Sequence, residues 1–332
     1  MALALRQRAH VAAMRGRRAG VTSVVTFYKF VRLLDPSGLR DELDGMACEL
    51  ALKGTILLAG EGINGTVTGN AVALQKFLGA LERLPEFSGL AVKYSSAAAG
   101  NPVFHRLKVR VKPEIVSFGV SGLDPGGRTG THVGAEEWNE LLDDPEVTVV
   151  DTRNDYEVAI GSFPGAVNPA TQSFRQFADF VADHLDPDRD TRVAMFCTGG
   201  IRCEKASAYL LERGFAEVYQ LDGGILNYLE TVKGEANRWE GECFVFDQRV
   251  SVDRHLREGS YEQCFACRRP LSTDDLQSPD YRPGISCPHC AQEQPEARRA
   301  ALAERARQVA LAARRGEAHI GVRQGSQGRT NG

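Results

Sequence analysis

Residues 193–211, VAMFCTGGIRCEKASAYLL, run from an apolar strand through a glycine pair into a helix. The strand ends at Phe196, so Cys197 stands at its carboxyl edge, and a helix begins within CEKASAYLL. This spacing predicts that the backbone N–H groups of Thr198, Gly199, Gly200, Ile201 and Arg202 curl toward the Cys197 sulfur. Such a nest stabilises an anion, and a helix N-terminus behind it adds partial positive charge. Gly199 and Gly200 allow the backbone to take positive φ and come close to the sulfur, and Arg202 supplies a fixed cation. Each contribution favours thiolate over thiol, so a lowered Cys197 pKa is expected. An inert cysteine at a strand end would need neither the glycines nor the arginine. Cys203, in the first helical turn, has two readings of equal weight. It either resolves an oxidised or persulfidated Cys197 as a disulfide, or packs against the sheet.

Around this loop, residues 130–235 alternate strand and helix signals, which predicts a parallel-sheet α/β domain. The strands are VTVVDTR, VAMFCT and EVYQLDG, and the helices AEEWNELL, SFRQFADFVADHL, CEKASAYLLERG and ILNYLETV. A Gly/Pro-rich joint, GVSGLDPGGRTGTH, separates this unit from an upstream one over residues 21–120. There the order is β-α-β-β-α-β: VTSVVTFYKFV, then a helix with Leu39, Leu43, Met46 and Leu50 on one face. GTILLAGEGINGTVTG gives two strands, NAVALQKFLGALERL a helix capped by Asn70, and GLAVKYSS a last strand. That order is ferredoxin-like, a split βαβ unit. GEGING superficially suggests a phosphate loop, but no helix follows it, so it reads as a hairpin turn. In RLKVRVKPEIVSFG, Arg106, Lys108, Arg110 and Lys112 alternate with Leu107, Val109 and Val111. A period of two puts the cations on one face, and an anionic partner such as RNA would relieve their repulsion. A solvated outer face is the competing reading.

Residues 236–315 change character. Cys264-Phe-Ala-Cys267 and Cys287-Pro-His-Cys290 are two C-x2-C knuckles separated by 19 residues, the spacing of a tetrahedral four-cysteine structural zinc site. A pair of redox C-x2-C motifs is the weaker alternative. The loop between them is too polar to build a core, so a metal would supply folding energy. His255 and His289 read as bystanders. Cys48 is expected in a helical core face, and Cys243 as packing in the short strand ECFVFD. PEARRAALAERARQVALAARR is a helical tail whose Arg298, Arg299, Arg305, Arg307, Arg314 and Arg315 are interspersed with Glu296 and Glu304, hence a solvated face. Residues 1–20, Arg-rich and without an acid, read as a disordered basic extension, and 316–332 as a polar disordered tail.

The 332-residue length suggests two or three domains, and 42% hydrophobic with 25% charged residues is the balance of a soluble globular protein. No apolar run approaches the roughly 20 residues of a membrane span. With no export signal, a reducing cytoplasm is expected, so the eight cysteines are not a disulfide framework.

The segments VVDTRNDYE, GSFPGAVN, CTGGIR and GFAEVYQLDGGI resemble the rhodanese family in order and spacing across the whole central domain. The resemblance implies that Cys197 forms a persulfide and that Thr198 to Arg202 cradle it. It implies also that Asp151 and Arg153 buttress the loop, with the turn from Asp222 to Gly224 beside it. Four residues separate Cys197 from Arg202, as in sulfur-carrying members. The related phosphatases have a ring one residue larger, so phosphatase activity is disfavoured.

Taken with FYKF, GTILLAGEGINGT, RLKVRVKPEIVSFG, CTGGIRCEKAS and the paired cysteines, roughly residues 21–290 resemble a tighter family. These are the oxygen-dependent tRNA uridine(34) hydroxylases, formerly UPF0176. That resemblance implies conversion of the wobble uridine of tRNA to 5-hydroxyuridine, with O2 as co-substrate and an electron or sulfur donor that the sequence does not identify. No flavin, haem or non-haem iron signature accompanies it. Two other functions compete: a sulfurtransferase acting through a Cys197 persulfide, and a non-catalytic RNA adaptor. The intact CTGGIR loop argues against the adaptor, and the cationic strand argues weakly against sulfur transfer to small anions.

Overall fold

A computed structural model describes residues 21–98 and 103–316. The basic extension and all of the polar tail except Gly316 therefore lie outside the described residues. Strands β1 (Val21–Phe30), β2 (Lys53–Ala59), β3 (Gly62–Gly69), β4 (Ala91–Ala98) and β5 (Leu107–Val111) form one sheet in the order β4-β1-β3-β2-β5. The first four are antiparallel in the expected ferredoxin-like order, while β5 extends the sheet as an edge strand parallel to β2. Helix Pro36–Glu49 opens at Asp35, whose carboxylate accepts from the N–H groups of Ser37 and Gly38. Helix Ala71–Arg83 opens at Asn70, which accepts from Ala73 N at 2.8 Å. Both cap orphan N–H groups of a first turn. The helices bury Leu43, Ala47, Leu74, Phe77 and Leu81 against Val25, Phe27, Ile56 and Val67 of the sheet.

The expectation for Cys48 fails, because the side chain is exposed. Leu43 and Ala47 are four apart and define the buried stripe. Cys48 follows one residue, about 100°, later, which turns it to solvent. Cys243 is fully buried as expected.

The second sheet is parallel throughout. Strands β6 (Thr131–Val133), β7 (Thr148–Asp151), β9 (Arg192–Phe196) and β10 (Glu217–Leu221) lie in the order β6-β10-β9-β7. The short β8 (Gly161–Ser162) pairs instead with Glu240–Gly241. Both faces of the main sheet are covered, as parallel sheets require. One side holds Trp138, Phe163, Phe196, Tyr228 and Trp239, and the other Phe118, Phe174, Phe177, Met195 and Tyr209. Residues after Trp239 contribute two short hairpins, the knuckles and the helix Glu296–Arg314.

The N-terminal unit is tied to the parallel-sheet unit by charge. Lys205 is only 2% exposed and pairs with Glu61 Oε2 at 2.9 Å and Glu114 Oε1 at 2.8 Å. Glu61 sits in the turn joining β2 to β3, which confirms GEGING as a hairpin and gives its acid a docking role.

Candidate active site

Cys197 follows the last residue of β9, and Gly200, at φ +97°, starts the helix Ile201–Glu212. Gly200 N–H donates to the Cys197 sulfur at 3.1 Å. The first residues of the helix Gly224–Thr231 bind the same loop: Ile225 N–H donates to Cys197 O at 3.0 Å and Leu226 N–H to Thr198 O at 3.1 Å. A Cβ on Gly224 would lie 2.4 Å from Cys197 O and 2.8 Å from Gly200 N, so no other residue fits there without moving the loop.

The Cys197 sulfur lies in a residue only 1% exposed. Burial alone would push the thiol up. The Cys203 thiol donating to it, the Arg202 charge and the backbone N–H groups of Arg202 and Cys203 outweigh burial and hold Cys197 at about 6. Burial and the neighbouring Cys197 push Cys203 well above the ordinary thiol range, so Cys203 is the proton donor of the pair. Cys203 thus faces both the sulfur and the core, and Thr152 Oγ1 lies 3.7 Å from it.

Arg202 is fixed by Glu157, whose carboxylate is fully buried and accepts at 2.9 Å. Arg153, also fully buried, donates to both oxygens of Asp151 at 2.9 and 2.6 Å and to Gly161 O at 2.6 Å. Its guanidinium lies 5.1 Å from the Trp239 ring. Asp151 and Arg153 therefore brace the end of β7 next to the loop without reaching the sulfur. Arg153→Met would leave the Asp151 carboxylate buried without its counter-charge, holding only the Ser162 hydroxyl and a backbone N–H. The expected cost is about 3–5 kcal/mol, read as a lowered urea midpoint with unchanged slope; wild-type stability would contradict this role.

Three residues around the loop escape sequence reasoning. Lys93, from β4 of the other unit, donates to the carbonyl oxygens of Gly199 and Gly223 and lies 5.9 Å from the Tyr28 ring. Burial pulls its ammonium down to about 8 even though Cys197 and Asp222 nearby favour the charge. The Tyr28 hydroxyl donates to Glu204 at 3.1 Å, and a Cβ on Gly200 would meet that hydroxyl at 2.8 Å. Glu204 also accepts from Thr129, His132 and Gln220. The N-terminal unit thus forms part of the wall around the thiolate loop.

Arg106, Lys108, Arg110 and Lys112 lie along β5 and its immediate ends, opposite the Leu107 and Val109 side chains that pack into the core. Arg106 and Lys108 turn into a cleft shared with the C-terminal segment, whereas Arg110 and Lys112 do not line it.

The four knuckle cysteines converge, with all their sulfur atoms within 4.8 Å of one another. Cys267–Cys287 and Cys287–Cys290 are each 3.7 Å apart. A tetrahedral ion with metal–sulfur bonds of about 2.3 Å needs edges of about 3.8 Å, so the cluster could hold a metal ion. Gln294 Nε2 donates to Cys290 Sγ at 2.9 Å, an outer hydrogen bond of the kind that orients a metal ligand. His289 is engaged by Asp275 instead, at 3.1 Å.

Comparisons with known proteins agree with this layout. Residues 22–115 match the UPF0176 acylphosphatase-like domain, and residues 134–231 the rhodanese-like domain. A tRNA uridine(34) hydroxylase of Teredinibacter turnerae is 52% identical over 300 residues, covering 90% of this chain and 93% of that protein. Among solved structures, a rhodanese-like domain from Anabaena is 22% identical, covering 34% of this chain and 80% of its own, with TM-score 0.28. An acylphosphatase from Bacillus subtilis is 18% identical, covering 27% and 98%, with TM-score 0.22.

Proposed function

The chain belongs to the tRNA uridine(34) hydroxylase family, and on that premise we propose that it converts the wobble uridine of tRNA to 5-hydroxyuridine, with Cys197 as the catalytic nucleophile. The observation that carries the assignment of Cys197 is the placement of its sulfur, which accepts from Gly200 N–H at 3.1 Å and lies by the N–H groups of Arg202 and Cys203 and the Arg202 charge, surroundings that favour the thiolate. A thiolate adding to ring carbon 6 of uracil would form one S–C bond and make carbon 5 electron-rich. After oxygen joins carbon 5, loss of its proton and expulsion of the thiolate restore the double bond. The overall change places one atom of O2 on carbon 5 and the other in water, drawing two electrons and two protons from an external reductant. The Cys203 thiol keeps its own proton and is positioned to stabilise the departing thiolate by donating a hydrogen bond to it.

Support for tRNA as the partner comes from the relative's activity and from the cations Arg106 and Lys108, which have no ion pair among the described residues. Zinc is the metal that best suits the four thiolates at these separations. No described helix is long and apolar enough to cross a membrane. The same reading assigns residues 21–120 to RNA contact, 130–235 to chemistry and 236–315 to a metal-stapled closing segment.

Nucleoside mass spectrometry of tRNA from cells lacking the protein tests the function. Loss of 5-hydroxyuridine derivatives, restored by the wild-type gene, is expected. An unchanged nucleoside profile, with redundant routes also removed, would return the thiolate loop to sulfur transfer.

A further inference from the structure

Between β5, the loop following Phe244 and the first cysteine knuckle lies a cleft of about 570 Å³. Two aromatic rings line it while facing solvent, Phe246 at 60% and Phe265 at 45% exposure. They are the only aromatic side chains among the exposed large hydrophobic residues described. Leaving such rings in water is unfavourable unless something covers them. Each already carries a guanidinium, Arg202 at 5.4 Å from the Phe246 ring and Arg268 at 5.7 Å from the Phe265 ring.

The charge in the cleft is mostly positive. Arg106, Lys108, Arg268 and Arg305 all line it, and none has an ion pair with a described residue. Asp247 lines it too, but its carboxylate is taken up by Arg249. Next to the cleft, over the Phe246 ring, Arg202 does not itself line it but also lacks a partner for one of its N–H groups. Arg202 is 8% exposed, and its Nη1 is buried with no hydrogen-bond partner among the described residues. A guanidinium N–H left without an acceptor in this way costs free energy that an anionic or carbonyl oxygen would recover.

We infer that this cleft seats unstacked nucleotides of the RNA substrate, with Phe246 and Phe265 as stacking platforms and the four cations as phosphate contacts. This deepens the proposed function and rests on RNA being the substrate. Exposed flat apolar faces, together with cations that have no ion pair among the described residues, suit the bases and phosphates of a single strand. A duplex keeps its bases stacked on one another and has no use for such platforms. The location fits the chemistry as well. Phe246 touches Arg202 of the thiolate loop, and Thr198 Oγ1 donates to Phe244 O at 3.4 Å. Because Cys197 is almost wholly buried, a wobble base must leave its stack to reach the sulfur. Holding its neighbours on aromatic platforms compensates for that unstacking.

The test uses the full chain and a labelled anticodon stem-loop RNA with uridine at the wobble position, read by fluorescence anisotropy across salt concentrations. Phe246→Ala and Phe265→Ala are each expected to weaken binding roughly 5- to 150-fold, the range for loss of one stacked base, with the salt slope unchanged. Phe246→Tyr and Phe265→Tyr keep the platforms and should bind as wild type, which separates stacking from misfolding. Arg106→Ala and Arg268→Ala should flatten the salt slope by about 0.7 each, the value for one single-strand phosphate contact. Wild-type affinity in both Phe→Ala variants would overturn the inference, as would a fully paired duplex competing as well as the stem-loop. The nucleoside assay separates the two levels. If the wild-type gene restores 5-hydroxyuridine while the Phe→Ala variants bind normally, the cleft assignment falls and the hydroxylase stands. If the variants lose binding but the gene restores no 5-hydroxyuridine, the reverse holds.

Discussion

Cys197→Ser is expected to lose tRNA hydroxylation on the order of 10³-fold or more, because removing a catalytic nucleophile removes transition-state bonding that no neighbour replaces. A serine hydroxyl stays protonated at neutral pH, and the cradle that holds a thiolate at about 6 cannot ionise it. The wild-type protein should reveal the thiolate directly. Alkylation of Cys197 by iodoacetamide, followed peptide by peptide, should be near its plateau at pH 7 and fall as the pH drops through about 6. Its direction follows from charge: acid protonates the sulfur, and the neutral thiol is a poor nucleophile. Cys243, pushed up to about 12 by burial, should stay unreactive over that range. Exposed Cys48 should react at its own site, which is why the readout must resolve peptides. Replacing Arg202 by Met should move the Cys197 midpoint upward toward the ordinary thiol value of 9.0, since the guanidinium charge is among the contributions that hold it down. A Cys197→Ser enzyme with full hydroxylation, or a midpoint already at the ordinary value in the wild type, would remove Cys197 from the chemistry.

The thiolate loop is legible in the sequence because its parts are contiguous. Strand end, glycine pair, arginine and helix start fall between Phe196 and Cys203, and local backbone geometry suffices to aim them. The ferredoxin-like sheet is equally legible, since hydrophobic period and turn residues fix each element and topology then leaves few options. What escapes depends on packing between units. Lys93 is a single lysine in AVKYSSAA, with nothing local to distinguish it from a solvated strand residue. Only docking of β4 against the Gly199 and Gly223 carbonyls gives it a role. For Cys48 the error is one residue of helical phase. β6 spans only Thr131–Val133 behind a glycine-rich joint, too short for any periodicity to register. Alternation places Phe246 within a continuous strand ECFVFD, yet that strand stops at Phe244 and the chain turns back so that Val245 N–H meets Val250 O at 2.8 Å. The turn throws Phe246 outward, which no alternation argument detects.

Loss of the metal should have the largest effect on stability. The protein as isolated is expected to carry one equivalent of zinc, and Cys287→Ser should carry none. The surrounding cluster is small, with Leu271, Ala266 and partly buried Leu276, Tyr281 and Leu302 packed about the cysteines. Such a core cannot hold the segment unaided, whereas binding of a structural zinc contributes about 10–16 kcal/mol in small domains. Without the ion, four thiols whose sulfurs lie within 4.8 Å cannot all ionise, because each thiolate raises its neighbours. The expected result is therefore local unfolding, seen as new protease cleavage between residues 260 and 295 in Cys287→Ser or in chelator-treated protein. Because Phe265 and Arg268 flank or fall between the first pair of ligands, that unfolding should also abolish stem-loop RNA binding. Alkylation of Cys197 should keep its midpoint, since the loop is braced by Glu157, Gly224 and Lys93 from elsewhere. Full protease resistance and full RNA binding in a metal-free variant would show that the knuckles hold their shape by packing alone. Loss of RNA binding with an intact thiolate would instead separate the two duties of the chain, the parallel-sheet unit holding the nucleophile and the metal-stapled segment holding the substrate's bases.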